Sequence, residues 1–274
     1  MKHPLGRLGC VALAILLAGV HDARSQEPER SSAQIREFLR SAEVIAADQT
    51  STGITQPWRL TLTDGMLTHD AAFQSVERRQ RVRQVGAGRE LGFVDSYHYN
   101  IAAYELAALL GLGDMVPVTV ERRWNGRVGA LSWWIDDVRF DEATRLAEGR
   151  RPDDIAAWSG QLARMQVFTE LVQDTDRNQT NLLYTSDWAL HMIDFSRAFR
   201  LSDELRRPAD LTRIDRWLFE RLRTLTDAEV AQATSSHLTD DEVAAVLDRR
   251  DRLVEHFQQL IETNGEPRVF GSSQ

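Results

Sequence analysis

The chain has 274 residues, with 42% hydrophobic and 27% charged side chains. That is the composition of an ordinary globular protein, long enough for one large domain or for two lobes sharing a cleft, and it excludes wholesale disorder. The formal net charge of −8 lacks the basic field of a nucleic-acid binder, and an acidic balance is too common among soluble proteins to name a partner.

Lys2 and Arg7 precede an apolar run over residues 10–20, and Ala23 and Ser25 put small residues at the −3 and −1 positions before Gln26. A positive start, a short apolar core and a small-residue exit describe a secretory signal peptide over residues 1–25. The run is shorter than the roughly 20 residues a bilayer span needs. The expectation is therefore a periplasmic or secreted protein with no membrane span after cleavage. Cleavage would remove Cys10 and Lys2, the only cysteine and the only lysine. The remaining chain could form no internal disulfide, so its stability would rest on its core. Apart from histidine, its basic side chains would all be arginine.

Residues 26–41 read as a linker and a short helix with Ile35, Phe38 and Leu39 on one stripe. Strands are predicted over 42–47, 58–63 and 67–76, the last two joined by a tight Asp64-Gly65 hairpin turn. Residues 77–92 are arginine-rich, carry three glycines near their end, and read as a mobile loop. A helix is predicted over 97–112, with Ile101, Ala108, Leu109 and Leu112 on one stripe and Gly111 and Gly113 as its stop. Strands over 116–122 and 128–135 flank an Asn125-Gly126 turn. Five strands with one helix between the third and fourth make an α+β lobe over 42–136. Residues 137–274 read as a mainly helical lobe. It has an amphipathic helix over 155–172, a short hairpin around Asp187, and helices over 210–225, 227–234 and 240–263. Thr226 and Thr239 stand as N-caps, each followed three residues later by an acid, Glu229 or Glu242.

The stretch from Asp174 through Asp176, Arg177 and Asn181, followed by Asp194-Phe195-Ser196 at the end of an apolar strand, carries the most specific chemistry. Phosphoryl transfer from a nucleotide needs a carboxylate near the attacking hydroxyl and oxygen ligands for the metal ions that bridge the phosphates. A loop followed by a hairpin could bring three such side chains to one cleft edge. Asp176 would orient the nucleophile, and Asn181 and Asp194 would hold metal. The bland reading is a surface loop in which Asp174 and Asp176 turn the chain, which leaves Asp194 in an apolar strand unexplained.

Asp176-Arg177-x-x-x-Asn181 with Ile193-Asp194-Phe195 resembles the catalytic and metal-binding segments of the atypical protein-kinase-like group: phosphoinositide kinases, HipA-like bacterial kinases and secretory-pathway kinases. Asn178 stands where phosphoinositide kinases have His, and Ser196 where their Asp-Phe-Gly has Gly. Tyr104-Glu105-Leu-Ala-x-Leu-Leu-Gly-Leu is similar to the HipA-like helix whose Glu faces the cleft. The order of elements matches over roughly residues 42–265, and the closest likeness is to uncharacterised exported bacterial members. The resemblance implies a two-lobed fold, a small β-rich N-lobe over 42–136 and a helical C-lobe over 137–274. It also implies ATP with Mg2+ or Mn2+ as cofactors, nucleotide as ligand, and an unidentified acceptor or protein partner.

Glu105 lies in register with Ile101 and Leu109, where a carboxylate is costly to bury unless paired. In kinases its partner is a third-strand lysine that touches the nucleotide phosphates. Gln74 stands at that place. An arginine could serve instead, Arg59 or one of those from Arg78 to Arg89, or Glu105 could reach water. Gly53, in the turn Ser51-Thr52-Gly53-Ile54-Thr55, sits where kinases cover the phosphates, though an ordinary strand connection reads equally well. The residues expected to meet cofactor are thus Gly53, Gln74 and Arg59, with Asp176 and Glu105 as the catalytic pair. Two function classes follow: a magnesium-dependent phosphotransferase or nucleotidyl transferase, and a catalytically inactive exported pseudokinase serving as a binding or scaffold module. Trp133 and Trp134 end the fifth strand near a hinge, where one could line a nucleotide pocket, with core packing the preferred reading. Arg249 and Arg250 read as a solvated or lobe-bridging face. His69, His98, His191, His237 and His256 show no metal-ligand spacing.

Overall fold

The structure, a computed structural model, describes residues 30–50, 57–85 and 88–270. The expected signal peptide and Gly53 lie outside the described residues. Helix α1 (Ser32–Ser41) buries Phe38 and Leu39. Strands β1 (Glu43–Gln49), β2 (Trp58–Thr63) and β3 (Thr68–Gln74) follow as an antiparallel meander. β2 alternates as a half-buried strand must, with Leu60 and Leu62 inward.

Residues 77–92, expected as a mobile loop, instead belong to a two-stranded ribbon of β4 (Glu77–Val85) and β5 (Gly88–Ser96). Its register runs from Glu77 opposite Ser96 to Val85 opposite Gly88. The sequence carries no apolar alternation there because the described residues of β4 are mostly exposed, Val82 among them, and burial is found toward the end of β5, at Phe93, Asp95 and Ser96.

Helix α2 (His98–Leu109) is central. It buries Tyr99, Tyr104, Leu106 and Ala107 as well as Ile101, whereas Ala108, expected in the core stripe, is exposed. Strands β6 (Thr119–Trp124) and β7 (Arg127–Trp133) complete a five-stranded sheet of order β1-β2-β3-β7-β6. Their turn has Asn125 and Gly126 at φ 48° and 74°, the left-handed pair that matches the strand twist. Gly129 is required on β7: a Cβ there would stand 2.4 Å from the Gln74 carbonyl oxygen. Arg122 on β6 donates to the carbonyls of Leu39 and Ala42 at 2.6 and 2.5 Å, satisfying the open end of α1.

The second half holds β8 (Val138–Asp141) and α3 (Glu142–Glu148), neither expected, then α4 (Ile155–Leu171), β9 (Leu182–Thr185) and β10 (Leu190–Met192). The three strands form a small sheet of order β10-β9-β8. Helices α5 (Arg216–Thr224), α6 (Asp227–Thr234), α7 (Asp240–Asn264) and α8 (Glu266–Val269) close the chain. Both expected capping boxes form, at Thr226 with Glu229 and at Thr239 with Glu242. Residues 210–215 lie outside α5, which starts at Arg216.

Arg249 corrects its expected role. It is fully buried on α7 and donates to the carbonyls of Leu171, Arg200 and Ser202. Burial lowers its pKa to about 10. It therefore joins the end of α4 to the segment after Asp194. Among the described residues no helix is long and apolar enough to cross a membrane.

Candidate functional site

Between the five-stranded sheet and the small sheet lies a cleft of about 690 Å³, a volume suited to a nucleotide-sized ligand. Thr50 and Pro57 line it from the two ends of the β1–β2 connection, Ala72 and Gln74 from β3, and Asn100 from α2. Trp133, Trp134 and Ile135 line it from the strand end that leads into the second half, and Asn181, Met192 and Asp194 from below. The two tryptophans are therefore cleft residues. Trp133 also stacks on His69 at 3.5 Å between ring centroids.

The lower wall is organised around one buried guanidinium. After α4, Asp174 Oδ1 accepts from the backbone N–H of Asp176 at 2.9 Å, a side-chain turn natural to Asp. Arg177 pairs with Asp174 at 2.5 Å, with side-chain exposures of 6% and 0%. Its Nη1 donates to the carbonyls of Asn181 at 3.1 Å and Ile193 at 2.5 Å, and it lies over the Phe195 ring at 4.2 Å. The Ile193 N–H closes the set by donating to the Asn181 carbonyl at 3.0 Å. One side chain thus fixes the backbone of Asn181 against the residue before Asp194. Asp194 itself is left-handed, at φ 55°, a conformation Asp tolerates better than most residues. Asn181 Nδ2 reaches back to the Asp176 carbonyl at 3.3 Å.

The upper wall differs from expectation. Gln74 does meet α2, but through Asn100, whose Nδ2 donates to Gln74 Oε1 at 2.6 Å. Asn100 Oδ1 accepts the Phe195 N–H at 2.7 Å. A backbone donor demands the amide oxygen, so the amide nitrogen is left for Gln74. Glu105 sits five residues further on, about 140° around a helix of 3.6 residues per turn, and is not among the cleft's lining residues. Its carboxylate pairs bidentately with Arg36 of α1, the second contact being 2.6 Å, and the Arg36 pKa is raised in consequence. Among the described side chains, neither Arg59 nor Arg78, Arg79, Arg81 or Arg83 is that partner. Arg59 instead bonds Asp70 and lies over the Trp134 ring at 4.5 Å, while Arg78 to Arg83 lie on the separate ribbon. At the cleft Gln74 thus meets a neutral amide, Asn100, and not Glu105.

Asp176 lies outside the cleft lining, 47% exposed, with Arg197 Nη1 at 3.5 Å. Asp95, at the end of β5, is a carboxylate that sequence reasoning missed. It is buried, and burial pushes its pKa up; a Ser196 hydrogen bond opposes that shift and the Asp194 charge adds to it. Ser196 also takes the Ser96 N–H on its carbonyl at 2.8 Å, so the residue in place of glycine ties β5 to the segment after Asp194. Of these missed residues, Asn100 carried a sequence signal: an amide just before the apolar run Ile101-Ala102-Ala103 of a predicted helix.

Known structures share this arrangement of elements. Hydra Fam20, solved with sugar, is similar at a TM-score of 0.66 and 14% identity, over 86% of this chain and 91% of that one. The Golgi casein kinase, solved with Mn/ADP bound, is similar at 0.61 and 13% identity, over 87% and 78%. The Helicobacter pylori proinflammatory kinase CtkA is similar at 0.51 and 8% identity, over 82% and 98%. No family model and no curated protein matches the sequence. With a sheet-rich first half, a helical second half and a cleft between them, the chain has the atypical protein-kinase-like fold.

Proposed function

We propose that the protein is an exported, metal-dependent phosphotransferase or nucleotidyl transferase that takes ATP into the cleft. The observation that carries the reading is the convergence of Asn181 and Asp194 on one cleft wall, with Arg177 bonding the carbonyls beside both. A carboxamide and a carboxylate are the hard oxygen donors that suit Mg2+ or Mn2+. Asp95 lies close enough to Asp194 for the two carboxylates to repel each other, which a cation would relieve. Such an ion supplies charge neutralisation for the phosphates. Asp176 would position the acceptor hydroxyl, and the tryptophans at the sheet end would flank the base. The likeness to the Golgi casein kinase, solved with Mn/ADP bound, supports the same ligand class.

A second reading, a pseudokinase that binds without transferring, is favoured by the Gln74–Asn100 pair, which offers phosphates no positive charge. Thermal melts of the protein with ATP and Mg2+ or Mn2+ test whether nucleotide binds at all. Saturation at a hundred times the dissociation constant stabilises by about 2.7 kcal/mol. A metal-dependent rise lost in Asp194→Asn is expected; no rise at millimolar nucleotide refutes the enzyme. Labelled ATP then separates the readings, since only the enzyme releases or transfers label.

A further inference from the structure

Away from the cleft, three potential ligands converge from three elements. His98 is the first residue of α2, Glu121 lies on β6, and His237 sits in the turn between α6 and α7. Their ligand atoms all fall within 4.8 Å of one another. The His98 and His237 Nδ1 atoms are 3.2 Å apart, and His98 Nδ1 is 4.0 Å from Glu121 Oε2. Two imidazole nitrogens on one tetrahedral zinc ion, each at about 2.05 Å, stand roughly 3.3 Å apart. The histidine pair already has that spacing, and the glutamate must close by about 0.7 Å on His98 and by at most about 1.5 Å on His237.

We propose that His98, Glu121 and His237 form a binding site for one divalent transition-metal ion of the zinc type. Two imidazoles and a carboxylate are a ligand set for zinc with one position left open. Glu121 is 46% exposed, so ion and water can reach the site from solvent. Supporting contacts orient the ligands, as second-layer partners do at metal sites. The Tyr97 hydroxyl donates to Glu121 Oε2 at 3.4 Å, and the Tyr97 ring stacks on His98 at 4.1 Å. The His237 backbone is pinned by its N–H to the Thr234 carbonyl at 2.8 Å. Each ligand therefore sits on fixed backbone, and the ion's role follows from where they are. It would clamp the first turn of α2 to the sheet and to the α6–α7 turn. Asn100, two residues along that turn, holds Gln74 and Phe195. The site is independent of whether the cleft binds nucleotide.

The test is calorimetric titration of the untagged full chain, stripped with chelator, with ZnCl2. One ion per chain is expected, bound equally by Asp194→Asn, which separates this site from the cleft, and by His256→Ala, whose histidine bonds the Leu211 carbonyl instead. His98→Ala and His237→Ala should each weaken binding by more than about 100-fold, beyond the 10–100-fold that loss of a supporting partner causes. Absence of one-to-one binding, or its survival in both histidine variants, overturns the proposal and leaves a plain imidazole–imidazole hydrogen bond. If circular dichroism shows either variant misfolded, Cu2+ electron paramagnetic resonance of the parent decides: hyperfine coupling to two imidazole nitrogens supports the site, and its absence overturns it.

Discussion

Replacing Arg177 by methionine tests whether the lower wall depends on one guanidinium. Arg177 and Asp174 are 6% and 0% exposed in their side chains, so the substitution strands a buried carboxylate. Breaking such a pair from one side costs about 3–5 kcal/mol. The lost hydrogen bonds to the Asn181 and Ile193 carbonyls belong to the same loss and are not added to it. With a urea slope near 3 kcal/mol per molar, the upper range for small proteins, the unfolding midpoint should fall by about 1–1.7 M. The double variant Asp174→Asn/Arg177→Met removes the stranded charge and should be more stable than Arg177→Met alone. Asn181 and Asp194 also lose their common anchor, so metal-dependent nucleotide stabilisation should vanish in both variants. A loss below about 1 kcal/mol, the range of an exposed pair, would refute the reasoning. So would a double variant no more stable than the single.

Two further substitutions probe the neighbouring carboxylates. The Asp95 pKa is raised above its ordinary 3.8 by burial, so the folded state holds this proton to higher pH than the unfolded chain does. Folding stability is therefore lost as pH rises from 3.8 through the folded pKa. Asp95→Asn should make the protein more stable near neutral pH, with the gain fading on acidification in urea melts; a gain that does not vary with pH would count against the assignment. Glu105→Gln should cost about 1–3 kcal/mol through its partner Arg36 and leave any nucleotide-dependent melting shift intact. Loss of that shift would return Glu105 to the cleft.

The sequence alone determined the pieces whose signals are local. Asp64-Gly65 and Asn125-Gly126 specified hairpins because few residues adopt the left-handed turn conformations. Thr226 and Thr239 fixed two helix starts because a cap and its acid are three residues apart. The spacing of Asp176, Asn181 and Asp194 pointed to a loop and strand end, two of whose polar side chains line one cleft. What remained hidden depended on partners distant in the chain. The described residues of β4 are mostly exposed and leave no alternating pattern, and α2 is buried around most of its circumference, so periodicity could not say which face meets the cleft. Tertiary packing made that choice: it turned Asn100 toward Gln74, and Glu105 toward Arg36, 69 residues away. The same packing brought His98 within 3.2 Å of His237 across 139 residues. Ligand spacing in sequence reports only sites built on one local element, and this one is assembled from a helix start, a strand and a turn.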